Sequence, residues 1–222
     1  MMLSRLLLNP QSRDVQRVLG DSHFLHVRVM AMFPDHVGTA ARAALGVLHR
    51  LDRSEHGDVL ALLVQSKDRP SPARLPVGFL DSRIGDDALA TTDLSPVLEA
   101  IEVGAQFRFR LRANATRRID TKSAPDGSRR NGRRVPVRGD EGRLRWILSR
   151  LEANGMHLLG ACEQRPDGRS DGQANHAVRT HEGCVFDGML QIVEAKRARH
   201  ALATGIGPAK AYGFGLLSLA RP

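Results

Sequence analysis

The chain is poor in cysteine and in aromatic residues, and it has no long apolar run. Cys162 and Cys184 are its only cysteines, 22 positions apart and in no CxxC pair. That spacing excludes a disulfide-rich secreted scaffold and a zinc ribbon, and it reads as two reduced, half-buried thiols. No segment approaches the roughly 20 apolar residues of a membrane helix. The opening MMLSRLLLNP is interrupted too soon for a signal peptide. The expected setting is therefore the cytoplasm, with no membrane partner. One Trp, one Tyr and seven Phe are too few for a surface of aromatic platforms. Apolar residues for a core are not lacking: 41% of 222 residues are hydrophobic, which suits one large domain or two small ones.

Charge is present in excess of one sign. The formal net charge is +9, from 33 basic and 24 acidic residues. Residues 108 to 150 hold 14 of the basic residues against four acidic ones, a net +10, so the rest of the chain is close to neutral at −1. All of these basic residues but Lys122 are arginine. A guanidinium pairs bidentately with phosphate and stacks on bases, so the stretch implies a polyanionic partner. Codon bias toward arginine would not confine the excess to one stretch.

Patterning gives an α+β chain. A strand is expected over Leu3 to Leu8, then a helix capped by Ser12 and, after Gly20-Asp21, a second helix capped by Ser22 and ended at Pro34. Strands follow at 46–51 and 59–65, with a further one at 75–80, and Ser95-Pro96 starts a short helix. Gln106 to Ala113, QFRFRLRA, alternates apolar and basic residues as a half-buried strand does. Its phenylalanines should face the core and its arginines the solvent. Residues 121–139 are expected to form a loop or a disordered ribbon, Asp140 or Glu141 to start a helix through Leu151, and 156–162 to be a strand. Residues 163–182 read as a polar loop, and 183–194 as a strand pair or one long strand. A helix over 194–203, a glycine-rich loop and a strand over 216–219 complete the chain. Strands and helices thus alternate twice at ferredoxin-like size, with a boundary near residue 95.

Gly205, Gly207, Gly213 and Gly215 surround Pro208, Lys210 and Tyr212. The GxxxxGK[ST] order of a phosphate-binding P-loop is absent, and too little chain follows for a dinucleotide-binding unit. The glycines either bring backbone close to a ligand or make a tight helix-to-strand connection.

Three stretches carry a family resemblance: LSRLLLNPQSRDVQRVLGDSHFLHVRVMAMF, FRFRLRANATRR with the later RRVPV, and GIGPAKAYGFGLLSLARP. Together they resemble the CasE family, the type I-E CRISPR repeat endoribonucleases of the RAMP superfamily. The resemblance runs over essentially the whole chain. It implies two tandem ferredoxin-like (RRM-like) domains with antiparallel sheets, 1–95 and 96–222. It implies metal-independent cleavage of precursor CRISPR RNA at the base of the repeat stem-loop. The product, the crRNA 3′ stem-loop, would stay bound and the protein would join other Cascade subunits.

Such cleavage uses the 2′-OH beside the scissile phosphate as nucleophile, and needs a group that moves protons near neutral pH. His26 falls where the family carries its acid–base histidine. His23 stands where the family often has tyrosine, and the i, i+3 spacing puts both rings on one helix face. His23 either shares the proton work or orients the substrate. No third ligand at supporting spacing suggests a metal, and no cofactor is expected. Arg28 and Lys210 are candidates to stabilise transition-state charge. The RNA-binding set is Arg108, Arg110 and Arg112 on the strand and Arg117, Arg118, Arg129, Arg130, Arg133 and Arg134 beyond it, with Lys210. The glycine-rich loop (Gly205, Gly207, Gly213, Gly215) resembles that of the superfamily, near bound RNA. The alternatives are a non-catalytic RNA-hairpin-binding module of the same fold and, further off, a basic protein that binds ribosomal RNA.

Overall fold

The computed structural model describes residues 1–35, 40–54, 59–119, 133–174 and 177–222. Two four-stranded antiparallel sheets organise it. The first contains β1 (Met2–Leu8), β2 (Leu48–Arg53), β3 (Leu60–Ser66) and β4 (Leu89–Asp93) in the order β2-β3-β1-β4. Next come β5 (Gln106–Ala113) and a two-stranded ribbon of β6 (Thr116–Ile119) and β7 (Arg133–Pro136). β8 (Met156–Ala174), β9 (Ala177–Ile192) and β10 (Leu217–Ala220) complete the second sheet, in the order β10-β5-β9-β8. In each sheet the first and third strands are central and the second and fourth are edges, which is the ferredoxin-like arrangement.

Helices α1 (Arg13–Gly20), α2 (Ser22–Ala31) and α3 (Ala41–Ala44) lie between β1 and β2. The first core closes where Leu6 and Leu8 of β1 meet Val15 and Val18 of α1 and Leu25 and Val29 of α2. α4 (Ser95–Glu99) precedes the second sheet, α5 (Asp140–Ala153) lies between β7 and β8, and α6 (Ala195–Thr204) follows β9. The second core joins Phe107, Phe109 and Leu111 of β5 to Ile147 and Leu151 of α5 and Ala201 and Leu202 of α6. Burial contributes about 1.5–3 kcal/mol for each large apolar side chain, so the period-two alternation along β5 fixes which face turns inward.

The sheets meet at a polar seam. Arg50 of β2 is 3% exposed. Its Nε and Nη2 donate to the Asp52 carboxylate at 2.7 and 2.9 Å, and its Nη1 reaches Ser218 Oγ of β10 at 3.0 Å and the carbonyl of Arg110 at 3.4 Å. Gln65 of β3 donates from Nε2 to the Leu202 carbonyl at the end of α6, at 2.7 Å. Buried donors with fixed acceptors hold the two sheets in one relative position.

Several sequence expectations need correction. Residues 75–80 are not a strand: Pro76 starts a turn in which Phe79 N donates to Pro76 O, Gly78 has φ +75°, and only Leu80 bridges to Leu8. The fourth strand is Leu89–Asp93 instead, paired with β1. Residues 163–174 and 177–182 are strand rather than loop, and 175–176 lie outside the described residues. β8 and β9 continue through them as a long antiparallel hairpin, with register shifts between Leu159 and Cys162 and between Pro166 and Arg169. The backbone ladder carries this hairpin, so no apolar alternation announces it. Within the expected loop 121–139, Arg133–Pro136 forms β7 opposite β6.

Candidate active site and RNA interface

α2 begins where the chain breaks from α1 at Asp21. The Asp21 side chain, not Ser22, is the cap: it accepts from the backbone N–H groups of His23 at 2.8 Å and Phe24 at 3.2 Å. A capping carboxylate satisfies orphan donors of the first turn and favours the positive end of the helix. It therefore fixes the turn that carries His23. Leu25 and Val29 anchor α2 in the core, which leaves His23 and His26 on another face, half-buried, with ring centroids 6.5 Å apart.

Behind His26 stands a third imidazole. His49, from β2, is fully buried and stacks on His26 with centroids 6.2 Å apart and planes 21° apart. His26 Nδ1 and both ring nitrogens of His49 are buried without a hydrogen-bond partner among the described residues. Burial, and then the nearby charges of His23 and Arg42, push the His26 imidazole down to about 4. Burial pushes His49 down to about 3, with His26, Arg112 and Arg42 adding to the effect. Both rings are thus neutral near pH 7. Arg42, on α3, is also held below its usual value by burial, as is Lys210, which faces Arg42. No carboxylate is among the groups that shift these four residues. The pocket is one that an anion would complete.

Lys210 donates from Nζ to the Thr204 carbonyl at 2.7 Å. It lies on the 3-10 turn Lys210–Tyr212, which packs against both α2 and β2. The glycine-rich loop is thereby brought to the helix that carries the histidines. Its glycines are there for close backbone approach. Gly205 has φ +79°, and a Cβ on it would meet Gly215 O at 2.8 Å and Leu48 Cδ2 at 2.9 Å. The loop is tied by Ile206 N donating to Gly215 O and by Gly215 N donating to Arg112 O. Tyr212 is held by the His181 ring, 4.6 Å between centroids. Arg28 points elsewhere: its guanidinium pairs with Asp14 at 2.8 Å and lies over the Phe24 ring. Two residues from His26 on a helix, it faces away from the pocket, which removes it as a charge stabiliser.

The arginines divide among three concavities. Arg110 and Arg112 line a cleft of about 690 Å³ together with Ser22 and Leu25 of α2 and Tyr212 and Gly213 of the loop. Both are oriented by acids: Arg110 donates to Asp187 at 2.6 Å, and Arg112 pairs with Asp167 while lying over the Phe214 ring at 4.3 Å. Arg165, which the sequence did not single out, also pairs with Asp187 and lines the same cleft. Arg117, Arg118 and Arg134 line a second space of about 510 Å³ with Trp146, Arg150, Gly207 and Pro208. The glycine-rich loop thus borders both. Arg108 is exposed on a third, at the β10 edge, with Nε donating to the Arg221 carbonyl at 3.1 Å. Arg133 enters β7 by its backbone, and Arg129 and Arg130 lie outside the described residues. Arg42 and His49 were missed because neither has a local signal. Arg42 sits in a short alanine-rich helix, and His49 in a strand whose sequence, LHRLDR, does not reveal which face is buried.

Among the described residues, no three His, Cys, Asp or Glu side chains converge as a metal site would require, and no helix is long and apolar enough to cross a membrane. A family model described as CRISPR associated protein matches residues 1–221. The chain is 28% identical to the CRISPR-associated endoribonuclease Cse3 of Thermus thermophilus, over 99% of this chain and all of the relative. It is also 28% identical to the CRISPR system Cascade subunit CasE of Escherichia coli, over 90% of this chain and 92% of that protein. A solved structure of Cse3 bound to a 19-nucleotide RNA superposes with a TM-score of 0.79 at 27% identity, covering 99% of this chain and 100% of that one.

Proposed function

The chain belongs to the CRISPR-associated protein family, and from that premise we propose that it is an endoribonuclease that cuts precursor CRISPR RNA at the base of the repeat stem-loop. It retains the crRNA 3′ stem-loop and acts as a Cascade subunit in the cytoplasm. The observation that carries this reading is the pair of helix-borne imidazoles facing a glycine-rich loop, inside a cationic pocket beside an arginine-lined cleft. The relatives named as an endoribonuclease and a Cascade subunit support it.

The chemistry follows from the side chains present. His26, neutral at physiological pH, takes the proton of the ribose 2′-OH. The 2′-oxygen attacks the adjacent phosphorus and the bond to the 5′-oxygen breaks. That oxygen leaves with a proton, for which His23 is the nearest second proton-handling group on the helix. The products are a 2′,3′-cyclic phosphate and a 5′-OH. Arg42 and Lys210 oppose the negative charge that grows on the phosphoryl oxygens. The reaction draws on no metal and no small-molecule cofactor, and cleavage is expected to persist in EDTA.

Duplex RNA presents a narrow major groove bordered by phosphates, so the stem is read by shape and charge rather than by base edges. Arg110, Arg112 and Arg165 serve one side of the loop, and Arg117, Arg118 and Arg134 the other. We divide the chain near residue 95 into an N-terminal part that carries the proton chemistry and a C-terminal part that grips the stem. The test is His26→Ala: cleavage of a repeat hairpin falls about 10²- to 10⁴-fold while hairpin affinity is kept. A variant that cuts at the wild-type rate leaves only a hairpin-binding module.

A further inference from the structure

We propose that His49 is a positioning residue for cleavage: a buried neutral imidazole that accepts a hydrogen bond from Nδ1–H of His26 and so leaves Nε2 of His26 unprotonated toward the RNA. The inference rests on the cleavage reading above and names a part of the machinery that the helix alone does not supply.

Three features point to it. First, His49 is fully buried on β2, where an apolar side chain would pack at lower cost. A buried polar ring with no hydrogen bond destabilises a fold unless something uses it. Second, the unused atoms lie together. Nδ1 of His26 and both nitrogens of His49 are buried without partners among the described residues, in rings only 6.2 Å apart and 21° from parallel. At that separation the rings must approach by about 1 Å before a nitrogen of one hydrogen-bonds a nitrogen of the other, a shift of α2 against β2 that needs no change of side-chain conformation. A neutral imidazole has one donor and one acceptor, so the two rings complement each other. Third, His49 touches both halves of the site. A Cβ placed on Gly213 would meet its Cδ2 and Nε2 at 3.5 Å, so the glycine-rich loop closes over the ring edge that α2 does not cover.

The charged groups around the pair are His23 on α2, Arg42 on α3 and Arg112 on β5, with Lys210 beyond Arg42. All are cationic or basic, and Arg112 is itself paired with Asp167. In such surroundings the two rings do not both take a proton. Burial keeps His49 neutral while His26 accepts the proton of the 2′-OH at Nε2. The resulting imidazolium then has Nδ1–H bonded to an acceptor inside the protein. The role is that of an orienting partner behind a general base, filled by an imidazole rather than a carboxylate.

The test compares His49→Phe, His49→Gln and, as reference, His26→Ala. It uses single-turnover cleavage of a repeat hairpin across pH, with affinity measured on a hairpin bearing a 2′-deoxyribose at the cleavage site. His49→Phe is expected to lose rate about 10- to 100-fold at unchanged affinity, and His49→Gln, which retains an acceptor, to recover part of it. The acid limb of kcat/KM is expected to move to lower pH in His49→Phe, because the charged form of His26 has lost an acceptor. A wild-type rate and pH profile in His49→Phe, with His26→Ala inactive, overturns this proposal alone. A wild-type rate in His26→Ala overturns the cleavage reading beneath it. Parallel loss of rate and affinity in both His49 variants shows a merely structural role and also defeats the proposal. Nitrogen NMR of the unmodified protein decides the matter without any variant: His26 is expected as the Nδ1–H tautomer, and the Nε2–H tautomer contradicts it.

Discussion

A histidine with an ordinary value of about 6.5 is half protonated in mildly acidic solution, whereas burial and its cationic neighbours hold His26 near 4. Two consequences set it apart from an exposed histidine. In catalysis, the acid limb of kcat/KM reports the free enzyme. Hairpin cleavage should therefore stay near its plateau as pH falls through 6.5 and decline only well below it; a half-maximal point at 6.5 would contradict the burial argument. In stability, the lowered values of His26 and His49 favour the fold above the unfolded value of about 6.5, and that contribution is lost as pH falls toward 4 and below. Melting temperature should drop over this acid window less steeply in His49→Phe than in the unmodified protein. Equal slopes would mean that His49 is not buried in its neutral form. The sequence singled out His23 and His26 through spacing and resemblance. It carried no signal for Arg42 and His49, because they meet His26 only where distant strands and helices come together.

At the scale of elements, α2 depends on a cap that the sequence suggested one residue too late. Ser22 and Asp21 are both good capping residues. The carboxylate takes the role because it accepts from His23 and Phe24. Asp21→Ala should cost about 1 kcal/mol of stability in a denaturant titration. It should also slow cleavage more than it weakens binding, since it loosens the turn that holds His23. A loss of affinity equal to the loss of rate would place the effect outside the site. The glycine-rich loop offers a sharper break. Gly205→Ala puts a methyl 2.8 Å from Gly215 O and 2.9 Å from Leu48 Cδ2 and imposes φ +79° on an alanine, so the backbone there must shift, and cleavage should fall in a single-turnover assay. β5 was legible because its two faces meet different surroundings. The hairpin of β8 and β9 was not, because the sequence over 163–182 holds few apolar residues, and the 75–80 stretch misled because its apolar residues straddle Pro76 and Gly78.

For the whole molecule, charge and the seam decide the behaviour. The ferredoxin-like order recurs in both sheets, as the alternation of strands and helices in the sequence suggested. What composition did not reveal is that Arg50 crosses from one sheet to the other to reach Ser218 and the Arg110 carbonyl. Arg50→Met should weaken hairpin binding without altering either core, because the cleft is lined from both sides of that seam. Of the positive charge that is local in sequence, the fold places Arg110 and Arg112 on one side of the glycine-rich loop and Arg117, Arg118 and Arg134 on the other. Replacing Arg117 or Arg118 by Ala should lower affinity for any duplex stem alike and reduce the salt slope by about one per lost phosphate contact. An unchanged slope would remove that residue from the interface.

The central claim is that a ribose hydroxyl, activated by a protein imidazole without metal, cuts the RNA. One measurement meets it head on: mass analysis of the ends formed from a repeat hairpin in excess EDTA, beside the same hairpin with a single 2′-deoxyribose 5′ of the cut. The expected result is a 2′,3′-cyclic phosphate or 3′-phosphate with a 5′-OH from the first, and no cut in the second. Cleavage of the deoxy substrate, or a 5′-phosphate end, would contradict the account.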